Sequence, residues 1–504
     1  MFRKLALAAS LASSFGAMNA HAVDYELFLG GATALDTAVR RLVVIDVCAS
    51  NIEKYQNSAI GFTYRCTPKP GLNGINPATD RVVILKNTVA GSFTGVREVR
   101  NSTATFLKPP SPLALGTSGC PGAGVAGTEF GVAITTFTCT GNGGTGAPDA
   151  GFSDVEPKIF DSNPNFIVSP TSPAPFGPSW TNGLSSVAAF SQAFGFPVSD
   201  KAYRVLQIAQ GKCTSLANCA AVDPSFGEAL APNLNIADVR GMFSGTLADW
   251  TGIDANRSTG VSAIGNAAAA AGLNTAVKVC RRAETSGTQA SYNVLVQGFP
   301  CLGGSALTFQ SNANDGCAVN GATLSSGTAL NQGGYIGDGV YPNVTADQCL
   351  GSYTVVVNNG ASNVDTCLTK ADQFNEMAVG TLGLDRSPND PGASGTGDDP
   401  DGAADAWHNV KVNDVYPSLT NIAAGKFELM VESTFNRRSA GNGAPYSIQK
   451  VAMMNKLQDS SADPANPLPG VFSLPSRGFN WDGLLPVIKA ERGGNSCAPL
   501  LTTF

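Results

Sequence analysis

The switching between two-residue and 3.6-residue hydrophobic periods limits what this chain can fold into more than any other feature. Tyr25-Glu-Leu-Phe-Leu29 alternates like a half-buried strand, stops at Gly30-Gly31, and yields to helical spacing at Ala34, Leu35, Val39, Leu42 and Val43. Arg81-Val-Val-Ile-Leu85 reads as a second strand, and Asp200-Lys-Ala-Tyr-Arg-Val-Leu-Gln207 as a helix that Ser199 or Asp200 can cap. Strand-like and helix-like patterns in alternation predict α/β construction and not a sandwich. At 504 residues the chain is too long for one ordinary core, so two or more lobes are expected.

Between the periodic runs lie stretches rich in Gly, Pro and Ser. Residues 107–150, 298–352 and 387–405 read as surface insertions. Twelve cysteines, an even number, argue for disulfides over metal in an exported chain. Cys48/Cys66, Cys120/Cys139 and Cys213/Cys219 are natural pairs by proximity, and no CxxC occurs. The expectation of export comes from the start of the chain. Phe2-Arg3-Lys4 is positive, Leu5 to Phe15 is apolar, and Ala20-His21-Ala22 offers a small-x-small cleavage site, so residues 1–22 read as a signal peptide. Cleavage near Ala22 predicts a periplasmic or secreted protein. The first cysteine, Cys48, is too far on for a lipoprotein anchor, and no later run approaches the roughly 18 apolar residues of a membrane span.

Charge narrows the function classes. Charged residues are 14% of the chain, the net charge is −6, and nothing suggests the basic face that nucleic acid requires. Outside the leader there is one histidine, His408, which follows Trp407 in a polar, acidic segment and reads as a surface residue. A histidine-rich zinc site is excluded, and a Ser-His-Asp triad would have to use this residue. The acidic run with Asp398, Asp399, Asp401 and Asp405 lacks the spacing and terminal glutamate of an EF-hand, and reads as a solvated loop. No cofactor is expected.

One short stretch does point to chemistry. Arg282-Ala-Glu-Thr-Ser-Gly-Thr288 joins the strand-like Val277-Lys-Val-Cys280 to a helix-like run at Ala290 to Val296. The first N–H groups of a helix lack partners, and with the helix dipole they favour an anion. Ser286 and Thr288 add hydroxyls, Gly287 permits close approach, and Arg282 adds a forked cation. By itself the stretch reads first as a capped helix with an Arg282–Glu284 ion pair. Three other turns share the design: Gly30-Gly-Ala-Thr-Ala34, Gly91-Ser-Phe-Thr-Gly95 and Gly151-Phe-Ser-Asp-Val-Glu-Pro157.

The four turns, in this order, resemble the ligand turns of bacterial phosphate ABC transporter substrate-binding proteins and their DING relatives. In that family G-A-G-A-T-F, G-S-S-G, G-x-S-D-x-P and R-A-D-G-S-G-T segments surround one phosphate. Met242-Phe-Ser-Gly-Thr-Leu-Ala-Asp-Trp250 and Val415-Tyr-Pro-Ser-Leu-Thr-Asn-Ile-Ala-Ala-Gly-Lys-Phe427 also resemble family stretches that touch no ligand. The resemblance implies a two-lobed type II periplasmic-binding-protein fold with a hinge and disulfide-stapled loop insertions. Residues 23–195 and 391–504 would form one lobe and 196–390 the other. It implies ligand contacts from Thr33, Ala34, Ser92, Asp154, Arg282, Ser286, Gly287 and Thr288, with Glu284 orienting Arg282. Asp154 would accept the proton of a phosphate and reject sulfate.

The chain departs from the pattern at three places. Ala34 stands where the family has an aromatic, Phe93 and Thr94 alter the second turn, and Thr285 replaces a glycine. These changes imply a wider or differently shaped pocket, suited to phosphate, an organic phosphate or another oxyanion. The reading that follows is a monomeric solute-binding protein serving an ABC permease. The alternatives are a secreted phosphatase or phosphodiesterase on the same scaffold, and a secreted interaction protein in which the site is vestigial.

Overall fold

The computed structural model describes residues 23–161, 181–302 and 353–502, apart from 90, 223–227, 255–261, 284, 359, 385, 387–406, 440–445, 462–470, 473–489 and 493–494, and three two-residue strands between 318 and 331. The expected leader, Glu284, Cys317, Cys349 and the acidic run at 398–405 lie outside the described residues. In chain order, the elements that bear on the site are β1 (Asp24–Gly31), α1 (Asp36–Arg41), β2 (Arg81–Asn87), α2 (Thr94–Asn101), β3 (Ala150–Ser153), β4 (Leu184–Gly195), α3 (Asp200–Ala209), β5 (Asn274–Arg282), α4 (Gly287–Leu295), α5 (Ala361–Gln373), β6 (Glu376–Gly380) and β7 (Met430–Arg438).

The protein is a mixed α/β structure built on two sheets. The larger has eleven strands, with β4, β7, β3, β1 and β2 side by side, followed by Gly61–Pro68, Cys48–Asn57, Val132–Thr138 and Val125–Glu129. Here β1 runs parallel to both β2 and β3, while β7 is antiparallel to β3 and β4. The central strand β2 is buried along Val82 to Asn87, as a strand covered on both faces should be. The second sheet has six strands, with β5 parallel to both Thr354–Asn358 and β6. Pro197–Ser199 and Trp407–Asn409 complete its far edge.

The predicted helix after the first strand is α1, continued by a helical turn through Val47, with Leu35, Val39, Leu42 and Val43 all sealed from solvent. The helix expected at 200–207 is α3, but Ser199 does not cap it. Its hydroxyl instead donates to Glu376 O and accepts from Ala378 N–H, both at 3.2 Å, and so joins α3 to β6. Residues 107–150 lie as an insertion on the edge of the larger sheet. Its two strands form a hairpin that extends that sheet, with Phe137 stacked on Tyr55.

His408 corrects the expectation of a surface residue. It is buried because Trp407–Asn409 pairs with Pro197–Ser199, which turns the imidazole inward. There Nε2 lies 3.1 Å from Asp200 Oδ1 and the ring packs on Tyr203.

The chain passes between the sheets at Gly195–Pro197, at Gly380–Leu382, between Gly383 and Trp407, and again before Met430. Tyr292 of α4 sits at two of these passages. Its hydroxyl lies against the carbonyls of Gly195 and Leu382 and accepts from Leu382 N–H at 3.1 Å. The apolar core of the second sheet also continues into the first through Phe93, Val155, Phe160 and Phe194.

Five disulfides are present among the described residues. Cys48–Cys66, Cys120–Cys139 and Cys213–Cys219 are the pairs read from proximity. Cys280–Cys367 fastens α5 to β5 inside the second sheet's layer. Cys301–Cys497 crosses between the two bodies. Cys301 follows the helix α4 of the second, while the segment around Cys497 is bound to Glu156 through Ser496 N–H (2.9 Å) and to Glu432 through Arg492 N–H (2.5 Å). Its separation of 196 residues makes it the long-range bridge among the five. Replacing both cysteines by serine is expected to destabilise the protein by up to roughly 5 kcal/mol, less the shortening of the loop by Cys280–Cys367. Chemical denaturation of the oxidised double variant measures this.

A buried ion pair supplies a pH test. Lys278 Nζ and Glu376 Oε1 are 3.3 Å apart with neither side chain exposed. Burial pushes Glu376 up to about 7 against the pull of Lys278, and burial lowers Lys278. A carboxyl raised in the folded state contributes stability that is complete below about 4.5, its ordinary value, and that is lost as pH rises through about 7. Melting temperature should therefore fall between pH 5 and about 7.5 in the wild type, and Glu376→Gln should flatten that part of the profile.

Candidate functional site

The site forms where two strands of the larger sheet stop and a helix begins. β1 ends at Gly31, β3 ends at Ser153, and α2 begins just after Gly91-Ser92-Phe93. Glycine lets these ends meet. A Cβ on Gly151 would lie 2.5 Å from Gly95 Cα, one on Gly95 would lie 2.3 Å from Phe152 O, and one on Gly31 would lie 2.8 Å from Gly95 Cα. Gly31 also has φ +104°, a region that side chains rarely adopt. The first turn of α2 is thus laid directly on the backbone of β1 and β3. This brings Thr33, Ser92 and Asp154 to one place from positions more than fifty residues apart.

The second sheet supplies the other half. β5 ends at Arg282, and α4 opens at Gly287 with Ser286 as its N-cap, whose side chain accepts from Gln289 N–H. Arg282 is held from behind. Its N–H is shared by Gln289 Oε1 at 3.1 Å and Thr381 Oγ1 at 3.2 Å, and Arg281 Nη1 donates to its carbonyl at 2.8 Å. Sequence reasoning missed both Gln289 and Thr381. The Ser286-x-x-Gln289 spacing is that of a capping box, which would have found Gln289, although here its amide oxygen serves Arg282 and not the cap. Nothing local marks Thr381, which reaches Arg282 through the pairing of β6 with β5.

The two halves touch residue by residue. Arg282 Nη2 donates to Thr33 Oγ1 at 3.4 Å, Thr288 Oγ1 donates to Asp154 Oδ2 at 3.3 Å, and Asp154 N–H donates to Ser92 Oγ at 3.3 Å. Phe93 N–H donates to Thr285 O at 3.2 Å, which joins the second turn to the fourth by backbone. Gly287 lies so near Ser92 and Asp154 that a Cβ there would stand 2.1 Å from Ser92 Oγ and 2.7 Å from Asp154 Oδ2. Ser92, Asp154, Arg282, Ser286 and Thr288 are all buried, Ala34 is buried at the rim, and Thr33 is half-buried. Seven of the predicted contact residues therefore share one cluster, with Ala34 adjoining Thr33 in the chain. Glu284 lies outside the described residues.

Chemically the cluster offers a guanidinium, four hydroxyls and the opening N–H groups of a nine-residue helix, with one carboxylate among them. Donors outnumber acceptors, which suits an anion, and the single carboxylate suits an anion that carries a proton. No group of His, Cys, Asp and Glu that could hold a metal ion occurs among the described residues, and no helix among them is long and apolar enough to cross a membrane.

The glycine contacts are directly testable. Gly95→Ala would drive a methyl group into two backbone segments and should cost roughly 3 kcal/mol. Gly127→Ala, where a Cβ meets nothing within 4 Å, should stay within about 0.5 kcal/mol of wild type. Urea denaturation of both variants decides this.

No protein-family model and no curated protein matches the sequence. Solved structures do match over most of its length. One assigned as a phosphate ABC transporter substrate-binding protein, from Clostridium perfringens and with bound phosphate, is 9% identical with a TM-score of 0.37 over 86% of this chain and 92% of its own. An ABC-type phosphate transport receptor from Vibrio cholerae is 12% identical with a TM-score of 0.34 over 86% of this chain and 93% of its own. PstS from Borrelia burgdorferi is 9% identical with a TM-score of 0.31 over 88% and 95%. The chain is similar across most of its length to solved phosphate-transport binding proteins, and its ligand has to be read from its own residues.

Proposed function

We propose that this protein is an exported solute-binding protein that holds phosphate, or a closely related protonated oxyanion, between its two sheet-centred lobes, for delivery to an ABC importer. The observation that carries the reading is the meeting of four sequence-distant turns at the start of α4, with Arg282 reaching Thr33 and Thr288 reaching Asp154. The guanidinium is bonded to the Thr33 hydroxyl and the Thr288 hydroxyl to the Asp154 carboxylate, and each of these donors can exchange that bond for one to an oxyanion oxygen. Opening would occur at the chain passages near Gly195 and Leu382. The five disulfides suit the oxidising compartment that the leader pattern implies.

Asp154 supplies the selectivity. An ionised carboxylate only accepts hydrogen bonds, so it takes the proton of a phosphate and meets a sulfate oxygen with repulsion. Leaving such a buried group uncompensated costs a few kcal/mol. Calorimetric titration of ligand-stripped protein should show phosphate binding at about −8 kcal/mol or better, a micromolar constant. Sulfate should bind at least about 100-fold more weakly, and Asp154→Asn should narrow that gap to about tenfold. Silence toward both anions from folded protein overturns the reading. Release of phosphate from a phosphomonoester in the same samples would move the assignment to hydrolysis.

A further inference from the structure

Lys86 is a buried cation that the site, as described above, does not use. It stands at the end of β2, directly after the apolar run 82–85, and has no exposed surface. Its ammonium donates to Gly31 O at 2.8 Å, Ala32 O at 3.3 Å and Asn87 O at 2.9 Å, and it lies 3.0 Å from Asp36 Oδ1 in the first turn of α1. An ammonium has three protons, so the three carbonyls occupy its donors and Asp36 balances its charge. Burying such a pair costs several kcal/mol of desolvation, which a methionine of similar length in the same core would avoid.

We propose that Lys86 is a positioning and specificity-determining residue for the anion site: it holds the carbonyls of the 30–33 turn on the far side from the ligand and lends the site a positive field that Asp36 trims. The reasoning is geometrical. In a trans peptide the C=O and N–H point opposite ways. With Ala32 O turned to Lys86, the N–H of Thr33 is directed away from the ammonium, and the hydroxyl of that same residue meets Arg282. Ala32 N–H is already committed to Phe152 O at 2.9 Å, so the turn is clamped from both ends. Without Lys86 the two carbonyls would have no cation to face, and the rotation that relieves them would turn an oxygen toward the ligand. Asp36 then acts with the opposite sign. Burial raises its carboxyl above the ordinary value, while Lys86, 3.0 Å away, pulls against it.

This inference rests on the oxyanion reading. It is tested by titrating inorganic phosphate into wild type, Lys86→Met and Asp36→Asn, with anion-free melting curves for each. Lys86→Met is expected to weaken binding by about 30-fold, the effect of losing one charged hydrogen-bonding group. Asp36→Asn, which leaves Lys86 on its carbonyls, is expected to tighten binding by about fivefold. A purely structural role would lower both melting temperatures and move both affinities the same way or not at all. Phosphate binding by Lys86→Met within about threefold of wild type, or binding by Asp36→Asn no tighter than wild type, overturns the inference while the oxyanion reading stands. If Lys86→Met does not fold, Asp36→Asn alone decides. A wild type that binds no phosphate removes the reading itself, and this inference with it.

Discussion

Everything at this site depends on backbone touching backbone at Gly31, Gly95 and Gly151. Side chains normally hold a helix well away from the sheet it covers, and the first turn of α2 could not otherwise lie on the ends of β1 and β3. With no Cβ at these three positions, the peptide groups close to contact distance. The turns that carry Thr33, Ser92 and Asp154 then fall within reach of one another. The same device recurs across the two bodies at Gly287, which admits Ser92 and Asp154 to the opening of α4. A chain with 57 glycines has used a handful of them to replace side-chain packing by main-chain contact where an anion can be addressed by N–H groups.

Around that point the molecule is tied more tightly than four chain passages alone would require. Tyr292 links the site helix to two of the passages, a shared apolar core runs beneath them, and Cys301–Cys497 adds a covalent tie. A helix whose N-terminus is to serve as an anion seat must be rigid along its own length, since its dipole helps only where its N–H groups are fixed. α4 is buried from Gly287 to Val294, which provides that rigidity through packing. The buried charges follow the same logic. Arg282, Lys86 and Lys278 are each placed on a strand and held by fixed acceptors or a carboxylate, where a solvent-exposed cation would wander.

Much of this was legible in the chain because it is local. The strand at 25–29 and the helix after it follow from period alone, and the three short disulfides follow from sequence proximity. The turn at Arg282 to Thr288 stood out by its hydroxyls and glycine, and its likeness to the other three turns suggested that they meet, as they do. What failed was non-local. His408 looked exposed because its neighbours in sequence are polar, yet strand pairing with 197–199 buries it. Ser199 had the right identity to cap α3, but a carbonyl and an N–H of the neighbouring strand claimed its hydroxyl.

The sequence by itself determined the alternating α/β construction, the short disulfides and the residue types of the proposed anion site, since each depends on spacings of a few residues. The tertiary structure alone decided which cysteine bridges the two bodies, that Thr381 and Gln289 hold Arg282, and that Lys86 stands behind the first turn. Those relations join residues as much as 196 positions apart. The free energy that selects them comes from burying whole sheet faces and from satisfying buried polar groups, and neither term can be read from a window of sequence.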